Sequence, residues 1–230
     1  MSSSGLLRRK SMGTIEQLEQ RIAAYERAHG LDFETDEPVL RVRAALQDLG
    51  LLHLCRLTYC PENYYSLSLE QRAGVVRAVG GPRALCKSIM FENTQCDGSG
   101  EPGDFACSRY FLVVVQYERK IDSEALNRLV YGMRADRQLP KKKFHLALCP
   151  AEVSFQLSGF RHNAICPFGM PAKVPVIVDE SILALTPAVL FVGGGRVDVK
   201  LSLPVGRFVQ ATGAHVAPVS RPRSAADEDE

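Results

Sequence analysis

RALCKSIMFEN, residues 83–93, is the stretch from which the rest of the chain is read. Taken as a strand, it sends Leu85, Lys87, Ile89 and Phe91 to one face and Cys86, Ser88 and Met90 to the other. One face is therefore an apolar row interrupted by an amine. An unpaired ammonium is costly to bury, so Lys87 needs a reason to stand there. Three are open: the amine snorkels to the rim of an ordinary core, pairs with an internal carboxylate, or lines a pocket for an anionic ligand.

Upstream, Ser68 and Gln71 form a capping box for a helix that ends near Gly80 and Gly81. Residues 38–49 read as a helix with Pro38 in its first turn and Gly50 as its stop, and residues 51–57 as a strand. Thr14 and Gln17 cap a first helix, ended by Gly30. Downstream, residues 94–104 are a polar, glycine-rich loop of a length that is often functional. Residues 110–117, YFLVVVQY, form a near-continuous apolar run, the mark of a central strand covered on both faces. Asp122 or Ser123 caps a helix through Met133, and Pro150 starts a short one carrying Val153 and Leu157. Residues 174–178 and 188–192 are strands. Residues 197–203, VDVKLSL, alternate as a half-exposed strand should. A helix over 204–212, stopped by Gly213, precedes a short strand over 215–219.

Strands and helices mix without a regular βαβ repeat. This predicts an α/β fold: a mixed, curled or barrel-like sheet with surrounding helices and an N-terminal helical extension. The implied divisions are a disordered N-terminus over 1–13, the extension over 14–60, the main domain over 61–220 and a disordered acidic tail over 221–230.

Composition narrows the class. The 230 residues are 46% hydrophobic and 23% charged, enough for an ordinary core. No apolar run approaches the roughly 18 residues of a membrane helix, and MSSSGLLRRKSMGT lacks the apolar centre of a secretory signal. A cytoplasmic protein with no membrane partner is expected. The seven cysteines are odd in number and contain no CxxC pair, and the five histidines are scattered, so no metal site is predicted. The chain carries a net +2 and closes on Asp227, Glu228, Asp229 and Glu230; without those four, 28 basic residues face 22 acidic ones, a balance of +6. With lysines at 141–143 and a basic run over 8–10, that suits a polyanionic partner such as RNA, and solvated loops equally.

No nucleotide-binding or hydrolase signature occurs: there is no GxGxxG, no GxxxxGK[ST] and no GxSxG. Two stretches are left. Gly193, Gly194 and Gly195 are either a bulge between strands or a bare backbone surface whose free N–H groups meet a ligand. Residues 159–170, GFRHNAICPFGM, set Arg161, His162 and Asn163 beside a turn fixed by Pro167 and Gly169. That segment is an ordinary surface loop or one that presents backbone groups to a small polar ligand.

In order, the chain shows a Lys-Ser pair in an apolar row, a Gly-aromatic loop closing on Pro-Phe-Gly, VIVDES, a glycine-rich strand end, and a helix closing on ATGA. This series resembles the YbaK and prolyl-tRNA-synthetase-associated editing domains, over about residues 84–219. The resemblance implies hydrolysis of mischarged aminoacyl-tRNA, with the tRNA acceptor 3′ end as partner, an aminoacyl-tRNA synthetase as a further candidate partner, no DNA, and no cofactor. The usual substrate it implies is proline tRNA wrongly carrying alanine or cysteine. Lys87 matches the family's pocket lysine and is the implied catalytic residue. Asn163, Ala164, Ile165 and Pro167 occupy the family's GxxxP loop, with Asn163 standing where the family has glycine. With His162, Gly193, Gly194, Gly195 and Asn93 they are the implied substrate-binding residues. A non-catalytic module that tethers tRNA or a synthetase on the same fold is the alternative.

Overall fold

The computed structural model describes residues 17, 21, 36–96, 105, 108–133 and 144–224. Residues 1–13, most of the helix expected over 14–30, most of the 94–104 loop, the lysines at 141–143 and residues 225–230 lie outside the described residues.

The long apolar run becomes the centre of the molecule. Strand β2 (Cys86–Asn93) pairs antiparallel with β3 (Tyr110–Gln116), which pairs parallel with β6 (Val176–Asp179). With β5 (Leu146–Leu148) and β9 (His215–Ala217) they form a five-stranded sheet in the order β5-β2-β3-β6-β9. Leu112 and Val114 of β3 pack into one apolar cluster, and Phe111, Val113 and Val115 into another on the opposite face. Both faces are covered, so the run has no polar alternation to show.

A second sheet has the order β1-β8-β7, from β1 (Arg56–Tyr59), β8 (Val199–Pro204) and β7 (Val189–Gly193). A parallel bridge between Leu85 and Phe191 joins it to the first. The mixed α/β class is as expected. Among the described residues the sheets stay open, and none closes into a barrel.

Five α-helices with both ends among the described residues surround them: α1 (Glu37–Asp48), α2 (Leu69–Val76), α3 (Ser123–Met133), α4 (Ala151–Ser158) and α5 (Val205–Thr212). The capping box of Ser68 and Gln71 opens α2, which ends at Arg77 in a left-handed conformation, short of the glycines that suggested its stop. Helix α1 buries Val39, Val42 and Leu46 completely. Arg41 on it donates to the Gly159 carbonyl at 2.7 Å, and Asp36 before it pairs with Arg196 at 2.8 Å. Residues 36–59, read from sequence as extension, therefore pack into the same body as residues 61–220.

Three local expectations change. Residues 51–57 give a short 3-10 turn (Leu52–Leu54) before β1 rather than one strand. The alternating VDVKLSL segment is not half-exposed: residues 199–203 are all buried, Leu201 and Leu203 in the core and Lys200 beneath Tyr64 and Tyr65. Residues 220–222, at the junction with the expected disordered tail, form β10 (Ser220–Pro222) paired with β4 (Arg119–Ile121).

Candidate functional site

Strand β2 has one edge that is only partly used. Its partner β5 covers residues 91–93 alone, whereas β3 accompanies it from 86 to 92. A cavity of about 650 Å³ opens beside the uncovered part, bounded by β2, the 160–165 segment, the end of β7 and the start of β8. That volume is in the range of small-molecule sites, roughly 300–1,000 Å³.

Lys87 lines the cavity and is half-buried. Among the described residues it has no carboxylate and no hydrogen-bond partner; its amine sits 6.0 Å from the centre of the Tyr117 ring. Burial, and then the charge of Arg223, hold its pKa below the ordinary lysine value. Of the three reasons the sequence left open for this lysine, the internal ion pair is not realised. What the geometry shows is an amine kept partly dry at a cavity wall.

The wall opposite in sequence is the loop through Asn163. His162 and Asn163 are exposed, Ile165 is half-buried, and all three line the cavity. Asn163 takes φ +64°, the left-handed region that asparagine tolerates better than most residues. Ala164 is buried behind it. Pro167 is buried too and faces a separate, smaller hollow with Phe168 and Gly169.

The triple glycine is where two backbones meet. A side-chain carbon on Gly193 would collide with the Ile165 carbonyl oxygen and lie 3.0 Å from the Ala164 carbonyl group. Only hydrogen leaves room for the loop to lie against β7. Gly193 lines the cavity; Gly194 and Gly195 are buried behind it. Their N–H groups are not free for a ligand, which corrects the sequence reading. Gly194 donates to the Val199 carbonyl at 2.9 Å and Gly195 to the Ala164 carbonyl at 3.1 Å. The Ala164 N–H is likewise held, by the Arg161 carbonyl at 3.0 Å.

Comparison with known proteins fits this arrangement. The profile for the aminoacyl-tRNA editing domain matches residues 75–210, more than half of the chain. The chain belongs to the aminoacyl-tRNA editing domain family. A search of curated proteins by sequence gives no significant match. Among solved structures, one described as a proposed trans-editing enzyme for prolyl tRNA synthetase has a TM-score of 0.63 and 20% identity, covering 81% of this chain and 98% of that one. Another, described only as a hypothetical protein, has a TM-score of 0.58 and 19% identity, covering 79% of this chain and 99% of that one. At such identities the likeness shows the shared YbaK-like fold.

Within this editing fold, Asn93 stands apart from the other expected site residues. It is fully buried, does not line the cavity, and its side-chain oxygen accepts from the backbone of His145 at 3.0 Å and Gln95 at 3.3 Å. It fastens the end of β2 to the segment leading into β5. Cys166 is fully buried, and burial pushes its thiol up to about 12, so it is not poised as a nucleophile. Among the described residues no group of three His, Cys, Asp or Glu side chains could hold a metal ion.

Sequence reading missed the second amine. Lys200 of β8 is only 5% exposed yet lines the cavity. Its amine donates to the Tyr65 hydroxyl at 2.7 Å, the Val197 carbonyl at 3.0 Å and the Asn163 carbonyl at 3.5 Å. The Tyr64 and Tyr65 rings lie 5.2 and 4.7 Å from it. Burial drives its pKa down to about 8. The Tyr65 hydroxyl in turn donates to the Asn163 carbonyl at 2.8 Å, so the loop's bend is pinned by a tyrosine and a lysine. The adjacent tyrosines in ENYYS were the available signal. Nothing local ties them to a lysine 135 residues away.

Proposed function

We propose that the protein is a trans-editing aminoacyl-tRNA deacylase acting on proline tRNA that carries a wrong small amino acid such as alanine or cysteine. One observation carries the reading: the unpaired, half-buried Lys87 amine on the wall of a cavity bounded by the Asn163 loop and Gly193. The cavity is roomy enough for a terminal adenosine with its aminoacyl ester, and Tyr65 and Tyr117 offer aromatic faces for the base.

An aminoacyl ester is an activated acyl group. Its hydrolysis needs a positioned water and a charge that meets the developing oxyanion, with no protein nucleophile. Lys87 supplies that charge, or holds the terminal phosphate, in a partly dry site where a cation acts more strongly than in water. Water attack is assisted by a ribose hydroxyl of the substrate or by the Lys87 amine, whose lowered pKa brings its basic form nearer to neutrality. Editing of this kind is useful because one methylene changes binding by only about 1–3 kcal/mol, too little for a synthetase to reject a smaller acid.

The test is deacylation of proline tRNA charged with alanine, cysteine, serine or threonine, by the protein and by Lys87→Ala. The protein hydrolyses at least one of them and the variant does not. Unchanged turnover in the variant removes Lys87 from the mechanism; no turnover with any of the four, alongside retained tRNA binding, favours the tethering module.

A further inference from the structure

Leu85 and the whole of residues 86–90 line the cavity. Side chains alternate between the faces of a strand, so consecutive residues share one cavity only where it runs along the strand's edge. That edge belongs to Ser88. The Leu85 carbonyl accepts from Tyr117 at 2.9 Å and the Asn93 N–H donates to the Arg109 carbonyl at 2.7 Å, so odd-numbered residues of β2 turn their backbone groups to β3. Even-numbered residues turn theirs away, and the Met90 carbonyl accordingly takes the Cys149 N–H at 3.0 Å. β5 goes no further, because Pro150 has no N–H and turns the chain into α4. From the other end, β7 meets β2 in an isolated bridge, Leu85 with Phe191. Between these limits the N–H and C=O of Ser88 face the cavity, and among the described residues no ladder covers them.

Ser88 is half-buried although its hydroxyl oxygen is buried and unpaired, so the surface it shows is backbone and Cβ. An N–H and a C=O on one edge are half of an antiparallel pair, in which two residues exchange both hydrogen bonds. An aminoacyl ester carries the other half, an amine and a carbonyl on the two sides of one α-carbon. The charges around the edge agree. Burial and then Glu92 raise the Cys149 thiol, burial and then Asp179 raise that of Cys86, and both thiols line the cavity beside Ser88. An ammonium here meets a carbonyl acceptor on a flank that feels carboxylates, while Lys87 supplies the positive charge for the ester.

Resting on the deacylase reading, we infer that the aminoacyl group docks on Ser88 as a one-residue strand: its α-ammonium donates to the Ser88 carbonyl, and its ester carbonyl accepts from the Ser88 N–H. This is strand addition reduced to a single residue. The Ser88 N–H then joins Lys87 at the oxyanion as the ester hydrolyses. Water oxygen bonds to the acyl carbon, the bond from that carbon to the ribose oxygen breaks, and that oxygen leaves with the proton that water gives up. The products are the amino acid and a free tRNA 3′ end. Recognition through the backbone reads the amine and the carbonyl of any amino acid, and leaves the side chain to be sorted by the space beside it.

The experiment takes whichever of the four esters above the full chain hydrolyses fastest, and the same ester with hydrogen in place of the α-amine. Each rate is divided by that of spontaneous hydrolysis. Ser88→Pro deletes the N–H from an edge that makes no bond to β3, a setting in which a strand accepts proline. It lowers kcat by about 10²–10³-fold, the effect of removing one oxyanion donor, and Ser88→Ala, which keeps the N–H, loses less by about tenfold or more. The full chain hydrolyses the amine-bearing ester about 10–100-fold faster than its deaminated analogue, the effect of one hydrogen bond from a charged donor. A folded Ser88→Pro variant with the parent's kcat, equal losses in the two variants, or equal rates for the two esters each overturns this inference and leaves the deacylase reading intact. The comparison of esters needs no variant, so it decides the matter even where Ser88→Pro does not fold. Inertness of the full chain toward all four esters removes the deacylase reading, and this inference with it.

Discussion

Two lysines reach one cavity from two sheets, and the protein treats them in opposite ways. Among the described residues Lys87 of β2 is half-buried and left without hydrogen bonds; Lys200 of β8 is almost fully buried and given three acceptors. Both have lowered pKa values, in each case with burial as the main cause. The difference lies in what the amine is free to do. Lys200 spends its N–H groups on the protein, fixing the Asn163 bend, whereas Lys87 keeps its own for whatever enters. A residue that costs stability and spends no hydrogen bond on its own fold is the one to assign to chemistry; a residue whose hydrogen bonds are all internal is the one to assign to shape.

The comparison breaks most readily at Lys87. Lys87→Ala is expected to lower deacylation by about 10²–10³-fold, the effect of removing one oxyanion donor. Its unfolding free energy should stay within about 0.5 kcal/mol of the parent, because the relief of a half-buried charge offsets the lost packing and Tyr117 contact of the side chain, and no hydrogen bond or ion pair among the described residues is broken. Steady-state kinetics and denaturant unfolding on the same preparations check both halves. A variant that loses activity only in proportion to its stability would make Lys87 structural, like its counterpart.

Lys200 is tested through pH. Its amine titrates at about 8 in the fold and near 10.4 in an unfolded chain. Between those values the unfolded chain binds more protons, so the contribution to stability rises with pH across that window and is lost again as pH falls through about 8. Relative to Lys200→Met, the parent should gain up to about 3 kcal/mol of unfolding free energy between pH 7 and 10. Parallel denaturant titrations measure it; a flat difference would mean that the buried amine titrates normally.

Gly193 marks where the two walls join. Gly193→Ala places a methyl group against the Ile165 and Ala164 carbonyls, atoms of backbone that cannot swing aside. A loss of about 1–3 kcal/mol is expected. Gly206→Ala, at an open helical position, is the control and should cost nothing or stabilise slightly. Equal effects at both sites would show that the loop does not lie against β7 as described.

How much of this was legible depended on the distance over which a signal acts. The Ser68 capping box, the apolar run of β3 and the interrupted row around Lys87 are written within a few residues, and each was readable. The polar positions of VDVKLSL were read correctly as one face, but their exposure was not. That face is covered by Tyr64 and Tyr65, which come from a segment more than a hundred residues earlier. The same holds for β4 and β10, whose pairing joins Arg119 to Ser220 across 101 residues. At the glycines, composition showed that backbones approach closely but not which partner takes the N–H groups. Asn93, which the resemblance put at the substrate site, is instead held by a backbone some fifty residues downstream.

Asn163→Gly is the smallest change and the one that sharpens the comparison most, since it puts at the cavity's bend the residue that takes a positive φ most readily. Asn163 holds φ +64° at a cost that glycine does not incur, while glycine loses more chain entropy on folding, by about 0.5–1 kcal/mol. The two effects oppose one another, so unfolding free energy should move by less than about 0.5 kcal/mol. The bend itself persists, because Tyr65 and Lys200 grip the backbone carbonyl of residue 163 and leave its side chain alone. With the loop unmoved and Lys87 untouched, kcat/KM for a small aminoacyl ester should stay within about threefold. The amide's removal widens the mouth, so any gain should fall on the larger acyl groups. A loss beyond tenfold at unchanged stability would mean that the Asn163 side chain itself contacts the substrate, and the Asn163 wall of the cavity would then take part in recognition instead of only shaping it.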